Sequence, residues 1–308
     1  MPFQSAQRVV MIRPLGFHAN AETAVDNDFQ HQNDEDLMEI ERRACSEFDV
    51  LVDQLRNNGI DCLVLDPLNP QETPDAVFPN NWFSVDHQGN LTIFPMAHPS
   101  RQKEVRPDIV QKLVDWGCLI RGAHDLRESA PNDCFLEGTG SLVYDHVHRL
   151  AFMARSVRSN AFLAERHCHD LGYRLIAFDT VALPGKSPIY HTNVLLSIMS
   201  EAIVFCPEIV HELDRRRVMQ ELLNTSRKII EIDLNQLFAF AGNVLELKNA
   251  SANSVMVMSN SAYLAYTKVQ IEELSEFNDL VISDLKTIEK YGGGSARCMI
   301  AEIFAPLV

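Results

Sequence analysis

Apolar residues along the chain fall mostly in short runs broken by polar, Gly- or Pro-containing segments, and a few longer stretches show helical spacing. Residues 8–13 are a β-prone run stopped by Pro14. Residues 17–32 are polar and loop-like, a length that marks functional loops rather than simple connections. From Asp34 the pattern turns helical: Leu37, Ile40, Ala44, Phe48, Leu51 and Leu55 share one face, acidic residues crowd the first turn, and Gly59 ends it. A strand is predicted over 60–65, then a Pro-rich loop, then a hairpin of 82–85 and 91–94 around His87-Gln88-Gly89-Asn90. A helix over 107–116 and a strand over 119–121 follow.

The second half repeats this order. A hairpin of 135–144 and 149–154 leads to a helix over 160–171, stopped by Gly172, and a strand over 173–178. A strand pair at 191–198 and 202–205 is followed by a helix over 207–224 and a strand over 228–232. The pair 244–247 and 255–258, a helix over 261–277, a strand over 280–282 and a closing strand over 299–304 complete the chain. Strand pair, helix, strand thus recurs roughly every 60 residues, which predicts an α/β repeat architecture of about five units. No low-complexity linker divides it, so residues 1–308 are read as one domain.

Composition narrows the partners. The 308 residues are 46% hydrophobic and 22% charged, ordinary values for a globular protein. A net charge of −15 argues against nucleic acid and anionic membranes, both of which need basic patches. No apolar run is long enough for a transmembrane helix, and residues 1–13 lack the apolar centre of a signal peptide. Seven cysteines without C-x-x-C spacing fit reduced thiols in a cytoplasm.

Candidate chemistry centres on Gly292-Gly293-Gly294-Ser295-Ala296-Arg297-Cys298-Met299. A cysteine delivered by a Gly-rich turn beside an arginine is a candidate nucleophile, since positive charge favours the thiolate; a small buried thiol behind a structural turn is the plainer alternative. A metal site is not expected. His167-Cys168-His169 sits at the end of a predicted helix, where alternate residues do not share a face. The set His124, Cys134, His146 and His148 has no recurring ligand spacing.

Four motifs in order carry a resemblance. Phe78-Pro79-Asn80-Asn81-Trp82 resembles an early Arg-Asp substrate motif, and Leu136-Glu137-Gly138-Thr139-Gly140 a Glu-Gly-Gly motif. His191-Thr192-Asn193 resembles a His-x-Asp motif, and the turn 292–298 a C-terminal nucleophile turn. On these the chain is similar, over essentially its whole length, to the guanidino-group-modifying (pentein) superfamily of arginine deiminases, dimethylarginine hydrolases and amidinotransferases. Within it the chain most resembles the citrulline-utilisation hydrolases. The resemblance implies a five-bladed, pseudo-symmetric α/β propeller with a Cys-His-acid site at its centre and no cofactor. Cys298 would attack the planar carbon to give a covalent, thioester-like intermediate. His191 would protonate the leaving nitrogen and then activate water, and Glu137 would orient the imidazole.

The substrate contacts depart from the arginine-processing pattern. Asn81 and Asn193 stand where such relatives place aspartates. A guanidinium offers only donors and suits carboxylates, whereas a ureido group also offers an acceptor and suits amides. The expected substrate is therefore citrulline, converted to ornithine, carbon dioxide and ammonia; arginine deiminase, dimethylarginine hydrolase and amidinotransferase activities, and a non-catalytic binding protein of this fold, are the alternatives. Arg158, in Ser156-Val157-Arg158-Ser159-Asn160, resembles a Ser-x-Arg-Thr-Asn binder of the substrate carboxylate. Asn80 and Arg297 are further expected substrate contacts. Asn20, Asn27, Phe29 and Gln30 belong to a loop that could close over the site. Asn243, in Gly242-Asn243-Val244-Leu245, resembles a family motif without an assignable contact. The partner is a small amino acid, and a homo-oligomer is left open.

Overall fold

The computed structural model describes residues 3–183 and 187–308, so the expectation for residues 1–13 falls in part on residues 1 and 2, outside the described residues. Among the described residues, fifteen strands are arranged in one six-stranded sheet and three three-stranded sheets. They are β1 (Arg8–Ile12), β2 (Asp61–Leu65), β3 (Phe83–Val85), β4 (Asn90–Ile93), β5 (Gly122–Asp125), β6 (Val143–Asp145), β7 (Leu150–Ala154) and β8 (Arg174–Phe178). Then follow β9 (Leu196–Ile198), β10 (Ala202–Phe205), β11 (Lys228–Glu231), β12 (Leu245–Lys248), β13 (Ser254–Ser259), β14 (Asp279–Ser283) and β15 (Ala301–Ile303).

One pairing rule runs through all of them. The middle strand of each trio pairs antiparallel with one neighbour and parallel with the other: β3-β4-β5, β6-β7-β8, β9-β10-β11 and β12-β13-β14. The fifth trio is β15-β1-β2, in which the last strand of the chain completes a unit begun by its first. A single parallel β15–β3 contact, Ile303 to Val85, joins two trios into the six-stranded sheet. The leading strands β3, β6, β9, β12 and β15 all contribute, through Val85, Tyr144, Ser197, Glu246 and Glu302, to the lining of one cavity of about 160 Å³.

Helix α1 (Leu37–Asn57) shows how the pattern becomes structure. Asp36 caps it, its side chain accepting from the main-chain N–H groups of Met38 at 3.0 Å and Glu39 at 3.2 Å. Ile40, Ala44, Phe48, Leu51 and Leu55 are buried on one face, against β2, β14 and the helix Lys286–Gly292. Among the described residues, no helix is long and apolar enough to cross a membrane.

Several predicted boundaries move, each for a local reason. Residues 119–121 pair with the Pro306 and Gly89 carbonyls instead of entering the ladder, and the strand lies at Gly122–Asp125. The run 135–144 is interrupted by a helical turn, Gly138–Ser141, and 191–198 by a 3₁₀ turn, Thr192–Val194. The long helix over 261–277 is two helices, Asn260–Ala265 and Lys268–Ser275, because Thr267 forms its own capping box with Gln270. The helix over 207–224 opens as a 3₁₀ turn, and Glu212–Leu223 is the regular part. The closing strand is only Ala301–Ile303; residues 295–300 form the turns that precede it.

Truncation of the α1 seam should be costly. Phe48→Ala is expected to lower unfolding free energy by about 3–5 kcal/mol, and Asp36→Ala by about 1 kcal/mol. Chemical denaturation checks both, and an unchanged midpoint in Phe48→Ala would place α1 outside the cooperative core.

Candidate active site

The turns that lead into the five leading strands bring the chemistry together. Asn81 precedes β3, Glu137 precedes β6, and His191 and Asn193 precede β9. Asn243 precedes β12, and Cys298 precedes β15. Five segments spread over the whole sequence thus meet because each occupies the same place in its own trio.

His191 Nε2 lies 2.8 Å from Glu137 Oε2, and both side chains are buried. The other carboxylate oxygen, Oε1, accepts from the Ala97 N–H at 3.0 Å, and Arg158 Nη1 lies 3.7 Å from Oε2. Burial by itself would raise the Glu137 pKa, but the charge of Arg158 and the contact with His191 overcome it and hold it at about 2. Burial also pushes the His191 pKa down, against the pull of Glu137. An ionised carboxylate only accepts, so the proton of the neutral ring sits on Nε2 and the lone pair is on Nδ1. Nδ1 and Asn81 Nδ2 both crowd Gly140: a Cβ there would lie 2.8 Å from the first and 2.4 Å from the second.

Cys298 is 3% exposed and its thiol pKa is raised by burial, with hydrogen-bond donors around it acting in the opposite direction. Asn243 Nδ2 is 3.2 Å from Sγ and Asn193 Nδ2 is 3.7 Å away. A raised thiol pKa and a lowered imidazole pKa favour the neutral form of both groups, which line the same pocket. Deprotonation has to accompany attack.

Cys298, His191, Asn81 and Arg158 line one pocket of about 10 Å³, with Thr23, Asn27, Asp75, Phe78, Arg101, Tyr190, Gly292 and Gly294. Segment 17–32 packs against this pocket and contributes Thr23 and Asn27 to its lining. Asn27 Nδ2 reaches the Gly292 and Gly293 carbonyls, each at 3.4 Å, and Phe29 packs on Tyr190, Phe238 and Phe240. Asn20 and Thr23 donate to Asp75 Oδ2 at 2.8 and 3.1 Å.

The family model described as N,N dimethylarginine dimethylhydrolase, eukaryotic, matches residues 13–305. The chain belongs to this family. No curated protein matches the sequence. Among solved structures, the fold is similar to apo ArgZ, an arginine dihydrolase from the ornithine–ammonia cycle in cyanobacteria. That match has a TM-score of 0.75 at 17% identity and covers 98% of this chain but 41% of the ArgZ chain. The isolated N-terminal domain of ArgZ, a Cys-to-Ser variant bound to substrate, gives 0.75 at 17% identity over 98% of this chain and 99% of that one. A His-to-Gly dimethylarginine dimethylaminohydrolase carrying an S-methyl-L-thiocitrulline adduct gives 0.66 at 13% identity, over 97% and 100% of the two chains. At these identities the likeness is one of fold.

Within this dimethylarginine dimethylhydrolase-family chain, two expected substrate contacts lie elsewhere. Asn80 does not line the pocket; its amide lies 3.3 Å from Thr139 Oγ1 and ties two of the turns together. Arg297 points away from Cys298 into the larger cavity, donating to Glu302 and to the Ile300 carbonyl, both at 3.0 Å. Arg158 is in the pocket, but Asp26 of segment 17–32 holds its guanidinium through Nε at 2.9 Å and through Nη2. Sequence reasoning missed Asp75 and Arg101. Asp75 Oδ1 is buried with no partner, and its signal was only its place three residues before Phe78. His167 faces the Tyr144 hydroxyl and His146 that of Tyr173, and no group of three metal-ligating side chains forms among the described residues.

Two outcomes follow from this geometry. Gly140→Ala should cut kcat/KM on the order of a hundredfold by displacing Asn81 and His191 and lower the unfolding free energy by about 1–3 kcal/mol; full activity would mean that this contact does not matter. The depressed Glu137 pKa stabilises the folded state above the ordinary carboxylate value of 4.5, and that contribution is lost as pH falls towards about 2. Glu137→Gln should flatten this part of the stability–pH curve, measured by denaturation between those values. An unchanged slope would show that Glu137 is not ionised in the fold.

Proposed function

We propose that the protein is a cysteine hydrolase that cleaves the ureido group of citrulline with one water to ornithine, carbon dioxide and ammonia. His191 Nδ1 takes the Cys298 proton as Sγ attacks the ureido carbon, and returns it to the nitrogen that leaves as the C–N bond breaks. His191 then takes a proton from water, whose oxygen attacks the S-carbamoyl carbon, and passes that proton to Sγ as the C–S bond breaks. The resulting carbamate loses carbon dioxide. No cofactor is needed. The five trios are read as the blades of one pseudo-symmetric propeller, a single cytoplasmic domain over residues 1–308.

One observation carries the choice of substrate. Asn81 Oδ1 lies 2.9 Å from Arg101 Nη1, and Arg101 is itself held by Glu104 through Nε at 2.8 Å and Nη2 at 2.9 Å. A guanidinium only donates, so the Asn81 atom facing it is the oxygen. Asn81 Nδ2 is thereby turned into the pocket, where it is buried without a partner. It can donate to a ureido oxygen, and to the oxyanion formed on attack. A substrate guanidinium has no acceptor to offer it, and an unmet buried donor costs about 1–3 kcal/mol. Asp75 Oδ1 supplies an anionic partner for the α-ammonium. Opening of segment 17–32 would free Arg158 from Asp26 for the α-carboxylate.

A second reading has its own support. The unpaired Asp75 oxygen could receive a cationic head group, and ArgZ is an arginine dihydrolase. The two readings separate on kcat/KM for citrulline and arginine in wild type and Asn81→Asp. Citrulline should be preferred by wild type, and Asn81→Asp should lower its kcat/KM roughly ten- to a hundredfold while moving the ratio towards arginine. A wild type that prefers arginine, or an unmoved ratio, would favour the dihydrolase. Cys298→Ser and His191→Ala should abolish turnover with the fold intact, and loss of Arg158 should act mainly on KM. Substantial turnover by Cys298→Ser would rule out the covalent route and leave a binding protein of this fold as the better description.

A further inference from the structure

Asn243 stands at the sulfur without a role in the chemistry above. Its Nδ2 lies 3.0 Å from the main-chain oxygen of Asn193 and 3.2 Å from Cys298 Sγ, nearer than the Asn193 amide at 3.7 Å. A carbonyl oxygen only accepts, so the group facing Asn193 is the amide nitrogen, and its second N–H is left for the sulfur. The orientation is fixed by the backbone of the neighbouring turn, not by the thiol.

The rest of the turn shows what holding this amide requires. Asn243 Oδ1 is buried with no partner, an arrangement that native structures rarely retain without a functional reason. Phe240, three residues earlier, has a φ of +62°, an uncommon conformation for a bulky side chain and one that clusters at functional sites. Gly242 is pressed so closely on the turn before β9 that a Cβ would lie 2.2 Å from the Val194 oxygen. Asn243 also occupies, before β12, the place that Asn81, Glu137, His191 with Asn193, and Cys298 occupy before the other four leading strands.

We propose that Asn243 is a further catalytic residue, whose amide N–H donates to Cys298 Sγ while the sulfur carries negative charge. It forms and breaks no covalent bond. Its donation favours the thiolate at attack, and again when the sulfur departs from the S-carbamoyl carbon. Burial works against that charge, and a fixed donor in a water-poor site is the counterweight. The role rests on the reading of Cys298 as nucleophile, but not on the choice between citrulline and arginine.

The test reads the thiol without turnover. Alkylation of Cys298 by iodoacetamide is followed by the mass of the modified peptide, from about pH 5 to about pH 10. In Asn243→Ala the pH midpoint of alkylation should rise by about one unit, roughly a tenfold loss of thiolate at neutral pH. The acid limb of kcat/KM should move with it while KM changes little. Asn243→Asp keeps the shape of the side chain, so it reads the same role if the alanine variant does not fold. Its carboxylate opposes a neighbouring thiolate and should raise the midpoint further. An unmoved midpoint in folded Asn243→Asp overturns the proposal. Failure of the nucleophile assignment shows up differently, in the wild type: Cys298 is then not alkylated, or is alkylated equally fast with and without the substrate amino acid, and the role of Asn243 falls with it.

Discussion

The site depends on a carboxylate that is wholly buried and still ionised. Glu137 has no solvent to stabilise its charge, so His191, Arg158 and the Ala97 N–H must do so together. That demand fixes the imidazole. With Nε2 committed to the carboxylate, Nδ1 is the ring nitrogen left to move a proton, and like Asn81 Nδ2 it lies against Gly140. The same demand extends outward through Arg158 to Asp26, and so couples the buried carboxylate to segment 17–32. An opening of that segment would change the electrostatics of the Glu137–His191 pair as well as the path to it.

A second constraint shapes the amides. An asparagine side chain can present either of two ends, and in this site a neighbour with only one hydrogen-bonding role makes the choice. Arg101 can only donate and so turns the Asn81 N–H groups inward, while the Asn193 carbonyl can only accept and so turns the Asn243 N–H groups to the sulfur. Both arrangements leave one amide atom buried without a partner, Nδ2 in Asn81 and Oδ1 in Asn243. Donors set in this way can meet negative charge that develops on oxygen and sulfur.

Much of this was legible in the sequence, and what was not has a physical reason. The strands within 8–13 and 202–205 could be read as short apolar runs buried at every position, and the helix as a periodic stripe from Ile40 to Leu55; Leu37, expected on that face, lies exposed in the first turn. The turns before the leading strands could not be told from strand, since residues such as Val194 and Met299 are apolar and buried although no strand includes them. Cys298, His191 and Glu137 were visible as motif residues. Arg101 and Asp75 were not, because their meaning comes from partners far away in the chain: Asn81 for the first, Asn20 and Thr23 for the second. Arg297 misled for the opposite reason. Adjacency to Cys298 suggested a shared role, but consecutive residues in the turn point to different cavities.

The central claim is that a neutral ureido carbon is the one attacked. Citrulline labelled at that carbon, and arginine labelled at the guanidino carbon, can each be given to the wild-type protein and the label followed into products. The account predicts that labelled citrulline yields labelled carbon dioxide and unlabelled ornithine, at a higher kcat/KM than any consumption of arginine. Consumption of arginine with the label retained in citrulline, and citrulline itself left untouched, would contradict it.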